Sequence, residues 1–82
     1  MSADNFIAVF SGKNLDPLGR DICWYVAHGM MPSIETDERT EDFKKRYIES
    51  SEIYYPTREA ALIAAHNRLK IEYIVEYGVI EI

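Results

Sequence analysis

The side chains with the widest reactive chemistry are few: Cys23, His28 and His66 are the one cysteine and both histidines of this 82-residue chain. A protein-held metal ordinarily takes three or four Cys, His or carboxylate ligands. Cys23 and His28 are separated by an odd number of residues, which places them on opposite faces of a strand and out of reach of a common ion. No metal or other cofactor is expected. Nucleophilic catalysis needs a Ser or Cys beside a base that a third group orients. Cys23 lies inside an apolar run and reads as a small buried hydrophobe, while His66, one helical turn after Leu62, reads as a packed residue. No GxSxG, P-loop, GxGxxG, HExxH or calcium-loop pattern occurs, and Gly12, Gly19, Gly29 and Gly78 are scattered. An enzyme is not expected.

Charge offers two further candidates. Glu35, Asp37, Glu38, Glu41 and Asp42 concentrate five acids around Arg39, which reads as a solvated face or as a docking surface for a partner with a basic groove. Lys44, Lys45 and Arg46 follow at once. With Arg58, Arg68 and Lys70 they give residues 43–70 six bases against three acids (Glu49, Glu52 and Glu59), a net +3. Interleaved with Tyr47, Tyr54 and Tyr55, these bases form the alternative site, one that would touch phosphates and stack bases. The overall balance of −5 disfavours non-specific binding to nucleic acid or an anionic membrane. Aromatics are the third candidate. Trp24 and Tyr25, like Tyr54 and Tyr55, point to opposite sides of any strand, so one of each pair belongs to a second face. An uncovered face rich in Trp and Tyr is a natural binding hot spot.

These side chains need a sheet and at least one helix to position them. Residues Asn5 to Phe10 and Asp21 to His28 are β-favouring runs ended by Ser11-Gly12 and Gly29, and predict two antiparallel strands joined by a loop with turn signals at Asn14, Asp16-Pro17 and Gly19. Both runs are apolar at consecutive positions. Ile22, Trp24 and Val26 oppose Cys23, Tyr25 and Ala27, and Phe6, Ala8 and Phe10 oppose Ile7 and Val9, so both faces of the sheet call for cover. After Met30-Met31-Pro32, Thr36 is placed to cap a helix with Asp37 and Glu38 in its first turn, Lys44 to Arg46 near its end, and Phe43 and Tyr47 on one face. The rival reading is a loop over Glu35 to Asp42 and an extended Phe43 to Tyr55, turning at Ser50-Ser51.

Ile53-Tyr54-Tyr55 reads as another strand, ended by Pro56. Thr57 then caps a helix over about residues 57–70, whose Leu62, Ala65, His66 and Leu69 stripe faces the sheet. Continued as helix, Ile71, Ile74 and Val75 would lie opposite that stripe and make the helix apolar all round. Their β-branched composition instead predicts a terminal strand over Ile71 to Ile82, interrupted near Gly78. The sum is a single α+β domain over 1–82: a small, mainly antiparallel sheet of about four strands with one main helix on one face.

One helix does not shield two faces. The expectation is therefore an exposed aromatic surface around Trp24 or Tyr25 and Tyr54 or Tyr55. The alternative is that the segment of the 30s and 40s folds across that face and completes an ordinary core.

Composition fits one soluble domain. Apolar residues are 48% and charged residues 28% of the chain, ordinary globular values. Met1 to Phe6 lacks a basic and apolar leader pattern, no apolar run reaches the ~18 residues of a membrane span, and a lone cysteine suits a reducing cytoplasm. A cytoplasmic, unprocessed chain is the expectation.

The segment from Ile53 to Ala61, a strand closed by Pro56-Thr57 and followed by Arg58-Glu59-Ala60-Ala61, resembles the strand-to-helix junction of many small phage-encoded proteins. Among these are short inhibitors of bacterial RNA polymerase and some anti-CRISPRs, and the DNA-binding arm domains of integrases show similar junctions. The resemblance covers about a third of the chain and implies a small accessory or host-takeover protein, in the host cytoplasm, that binds and occludes a larger machine. It carries over no contact residue. The functional expectation is a protein-binding module, possible inhibitor included, anchored by aromatics and steered by Glu35 to Asp42. Self-association through the same sheet face, as a homodimer or small homo-oligomeric structural protein, is compatible with it, and a nucleic-acid-binding accessory protein is the alternative.

Overall fold

The computed structural model describes residues 5–12, 22–51, 53–71 and 76–82. Strand β1 (Asn5–Gly12) pairs antiparallel with β2 (Cys23–Met30), as the two apolar runs predict, in a register that sets Val9 opposite Val26 and Phe10 opposite Tyr25. A 3-10 turn at Met31–Ile34 leads into α1 (Asp37–Ser50), followed by α2 (Arg58–Ile71) and β3 (Val79–Glu81). Strand order is β2-β1-β3, and β3 runs parallel to β1. β1 is thus the central strand. Its residues Asn5 to Phe10 are all buried, which is why they read as an unbroken apolar run rather than an alternating one.

The alternation of faces is as expected, and it sorts the core into two halves. Phe6, Ala8, Phe10, Cys23, Tyr25 and Ala27 form one cluster, with Phe43, Tyr47 and Ile48 of α1 packed on it. Ile7, Val9 and Val26 form the other, under Ala61, Ala65, Leu62 and Leu69 of α2. Each face therefore has its own helix. This overturns the expectation of one main helix and one bare sheet face: the segment of the 30s and 40s folds across and closes the core.

α1 forms where the capping signal places it. Arg39 N–H donates to Thr36 Oγ1 at 3.1 Å, and the Thr40 hydroxyl donates back to the Thr36 carbonyl at 2.9 Å. Arg39 also reaches the Pro32 carbonyl at 3.2 Å, tying the helix to the preceding turn. Two glycines let α1 settle close to the sheet. A Cβ at Gly29 would stand 2.8 Å from both Phe43 Cε1 and Phe6 Cζ, and Ile48 covers Gly12 more tightly still. Aromatic edges do the rest: Tyr47 meets Phe10 and Tyr25 at near-right angles, with centroids 5.9 and 6.3 Å apart, geometry worth about 0.5–1.5 kcal/mol per pair beyond burial.

Thr57 caps α2 through Ala60 N–H at 3.1 Å, as its position predicts. The sheet-facing positions, however, are Ala61 and Ala65, flanked by Leu62 and Leu69, while His66 is exposed rather than part of the buried stripe. Small side chains let this helix lie close to Ile7 and Val9. At the other end of the chain, Gly78, at φ 69°, turns the backbone into β3. Asn5, 4% exposed, is satisfied by Glu76 N–H at its side-chain oxygen and by Tyr77 N–H at its carbonyl, both at 3.1 Å.

Two expected strands are corrected. Ile53 to Tyr55 makes a single bridge, Trp24 to Tyr55, with hydrogen bonds of 2.9 and 2.8 Å. The ladder stops there for two reasons. The Ser51 hydroxyl donates to the Ile53 carbonyl and accepts from its N–H, and the Tyr47 hydroxyl donates to the Val26 carbonyl on the same edge of β2. Ile71 belongs to α2, so the terminal strand shrinks to Val79–Glu81. Among the described residues the sheet has three strands, one antiparallel pair and one parallel pair, rather than about four mainly antiparallel ones. The turn signals at Asn14 to Gly19, and Tyr73, Ile74 and Val75, lie outside the described residues. No described helix is long and apolar enough to cross a membrane.

Candidate functional site

The aromatic candidates separate by face, as period-two geometry requires. Tyr25 is 1% exposed beneath α1 and is a core residue. Burial, then the neighbouring Cys23 and Tyr54, hold its phenol above the usual range, so the hydroxyl stays protonated. Tyr54 packs at the rim of the same cluster, whereas Trp24 and Tyr55, joined by their backbone bridge, pack at the rim of the α2 side. All three rim aromatics are half-buried. No single aromatic platform results.

The acidic candidates all lie in or just before the first half of α1, and all are exposed. Their own helix largely neutralises them. Glu35 pairs with Arg39 at 3.8 Å, Glu41 with Lys44 at 3.6 Å, and Asp42 with Arg46 at 2.9 Å. Such i,i+3 and i,i+4 pairs mark a solvated helix surface. Asp37 and Glu38 complement the helix N-terminus.

The basic candidates fare similarly. Lys44, Lys45 and Arg46 are consecutive on a helix and splay about 100° apart; Lys44 is half-buried and Arg46 is engaged by Asp42. Arg58 grips Glu81 through two hydrogen bonds of 2.6 and 2.8 Å, fastening the start of α2 to β3. That fork raises Arg58 and holds the Glu81 carboxyl below its usual range. Arg68 and Lys70 belong to α2, on the opposite face of the sheet from α1. The six bases of residues 43–70 thus divide between two sides of the molecule.

Cys23 is buried and His28, on the other face of β2, is exposed, as their odd spacing requires. Among the described residues no three His, Cys, Asp or Glu side chains converge on a point. A groove of about 350 Å³ between the end of β1 and α1 is lined by Ser11, Gly12, Ile48 and the charged Glu41, Lys44, Lys45 and Glu49. It holds neither His nor Cys, and the nearest hydroxyl, Ser11, has no base of that kind beside it.

The water side of α2 carries no motif. Ile63 is 64% and Ile71 74% exposed. On a 100° wheel they flank Asn67, with Ala60 beside them, on the side away from Ala61 and Ala65, while Ala64 turns toward the core. Glu59 and Lys70 border this strip. α1 presents charge outward and aromatics inward; α2 presents alanine inward and isoleucine outward. The sequence reading weighs an outward apolar side only for a helix continued through Ile71, Ile74 and Val75, sets it aside for a terminal strand, and does not extend it to Ile63.

No family model, curated protein or solved structure matches this chain. Its functional reading therefore rests on this surface.

Proposed function

We propose that the protein is a binding module that acts by contact rather than by turnover, and that its contact surface is the outer face of α2. The observation that carries this reading is the exposure of Ile63 and Ile71 on a helix whose inward positions are filled by alanine. Large apolar side chains left in water on an ordered element are a standing cost that a partner surface removes. A module of this kind works by masking what it covers. Occlusion of a larger machine, the mode implied by the resemblance to phage-encoded inhibitors, belongs to the same reading.

The test is retention of partner chains, including an untagged second copy, on the immobilised protein and two variants. Ile63→Glu is expected to abolish retention with an unchanged circular dichroism spectrum, while Glu38→Lys on α1 leaves it intact. Retention that survives Ile63→Glu, or that depends on Glu38, refutes the assignment of the surface.

A further inference from the structure

We infer that the occupant of this face is a second copy of the same chain, docked antiparallel along α2. The inference rests on the reading of the α2 face just given, and three features of that face supply its content.

The first is charge. Glu59 and Lys70 are both exposed and eleven residues apart, so they stand about 16 Å apart along the axis and only about 20° apart around it. They occupy the same border of the strip at opposite ends. A two-fold axis perpendicular to the helix keeps each border on its own side and exchanges the ends, so Glu59 of each copy meets Lys70 of the other. A parallel pair, by contrast, would set like charges level with one another.

The second is size. Ala60 and Ile71 are also eleven apart and share a line along the helix. The same axis sets the small residue of one copy against the large one of the other, twice. Ile63 falls opposite Asn67. The residue numbers of the three pairs sum to 129, 131 and 130, so a single axis level with Ala65 serves all of them to within about one residue, or 1.5 Å. Self-complementarity about one axis is the property an isologous interface requires.

The third is extent. A helix of 14 residues is about 21 Å long, and a pair of such helices buries less than the roughly 800 Å² per partner of a standard interface. The association is accordingly weak, with dissociation in the micromolar range.

Sedimentation of the full chain from about 1 to 500 μM brackets that range. A concentration-dependent shift from one to two chains is expected. Ile63→Glu shifts the dissociation constant upward at least tenfold, and Glu59→Lys weakens the dimer by setting lysines against each other. Adding Lys70→Glu to Glu59→Lys restores it. Where the double exchange loses its helical circular dichroism, Asn67→Ile is the substitute, and it is expected to tighten the dimer by apolar contact with Ile63. A single-chain mass at all concentrations overturns the inference. So does a dimer indifferent to Ile63→Glu, or a charge exchange that fails to restore it in a folded chain. If the wild type stays a single chain but loses another captured partner on Ile63→Glu, the contact surface stands and its occupant is wrong. If Ile63→Glu changes neither mass nor capture, both fail.

Discussion

Gly29→Ala tests how closely α1 is seated on the sheet. The added methyl carbon would lie 2.8 Å from Phe43 Cε1, 2.9 Å from Phe43 Cζ and 2.8 Å from Phe6 Cζ. Carbon atoms rest about 3.5–4.0 Å apart, so each contact is short by at least about 0.6 Å. Phe6 is fully buried and its ring packs 5.8 Å from that of Phe43. Neither ring has an easy retreat. Overpacking of this kind costs about 1–3 kcal/mol, and the backbone entropy regained by replacing glycine offsets about 0.5–1 kcal/mol. The net loss is about 1–2 kcal/mol, which in a domain of this size lowers Tm by about 5–15 °C. Urea titrations followed by Trp24 fluorescence and by far-ultraviolet circular dichroism measure it, and coincidence of the two probes establishes two-state behaviour. In a Phe43→Leu background the same glycine substitution should cost measurably less, because one of the two obstructing rings is gone and Phe6 gains room to shift. Gly12→Ala is the internal control: its methyl meets the flexible tip of Ile48, which rotates aside, so the cost is smaller despite the closer approach. An unchanged midpoint for Gly29→Ala, or an equal loss with and without the Phe43 ring, would refute the packing argument.

Three other outcomes are expected. Tyr47→Phe keeps the ring contacts but removes the donor to the Val26 carbonyl, and should cost about 1–2 kcal/mol in the same titration. Because Arg58 lowers the Glu81 pKa in the fold, that pair's contribution is present above the unfolded carboxylate pKa and fades as pH falls through the lowered folded value. A Tm profile from neutral to acid pH should accordingly converge for wild type and Glu81→Gln, and parallel profiles would count against it. Ala61→Leu should destabilise by about 1–3 kcal/mol by forcing α2 off Ile7 and Val9, whereas Ile63→Ala on the water side stays within about 0.5 kcal/mol in dilute chain. The reverse order would mean that the faces of α2 are misassigned.

Much of the fold was legible because local signals agreed. The two apolar runs fixed β1, β2 and their alternating faces, and Thr36 and Thr57 marked both helix starts. The number of strands was not legible, and the reason is long-range. Ile53 to Tyr55 has strand composition, yet Ser51 takes both backbone groups of Ile53 and Tyr47 takes the carbonyl with which the ladder would continue. No local window contains Tyr47 and Val26 together. The parallel placement of β3 likewise depends on α2 crossing the sheet, a tertiary fact. For the site, charge clustering drew notice to Glu35 to Asp42, but spacing at i,i+3 and i,i+4 pairs those acids with the bases that follow them. Ile63 was hidden because the stripe of Leu62 and Leu69 suggested large residues inward, whereas Ala61 and Ala65 hold the buried positions.

The phenol of Tyr47 has one more effect. Beyond its bridge to Tyr55, β2 is one of the two outer ribbons of the sheet, the sort of border on which successive molecules stack into fibres. A hydroxyl lodged on the Val26 oxygen, two residues along from the Trp24 bridge, leaves an incoming strand one acceptor short at the rung where it would take hold. The same side chain that clamps α1 to the core thus serves as a stopper against filament growth along that side.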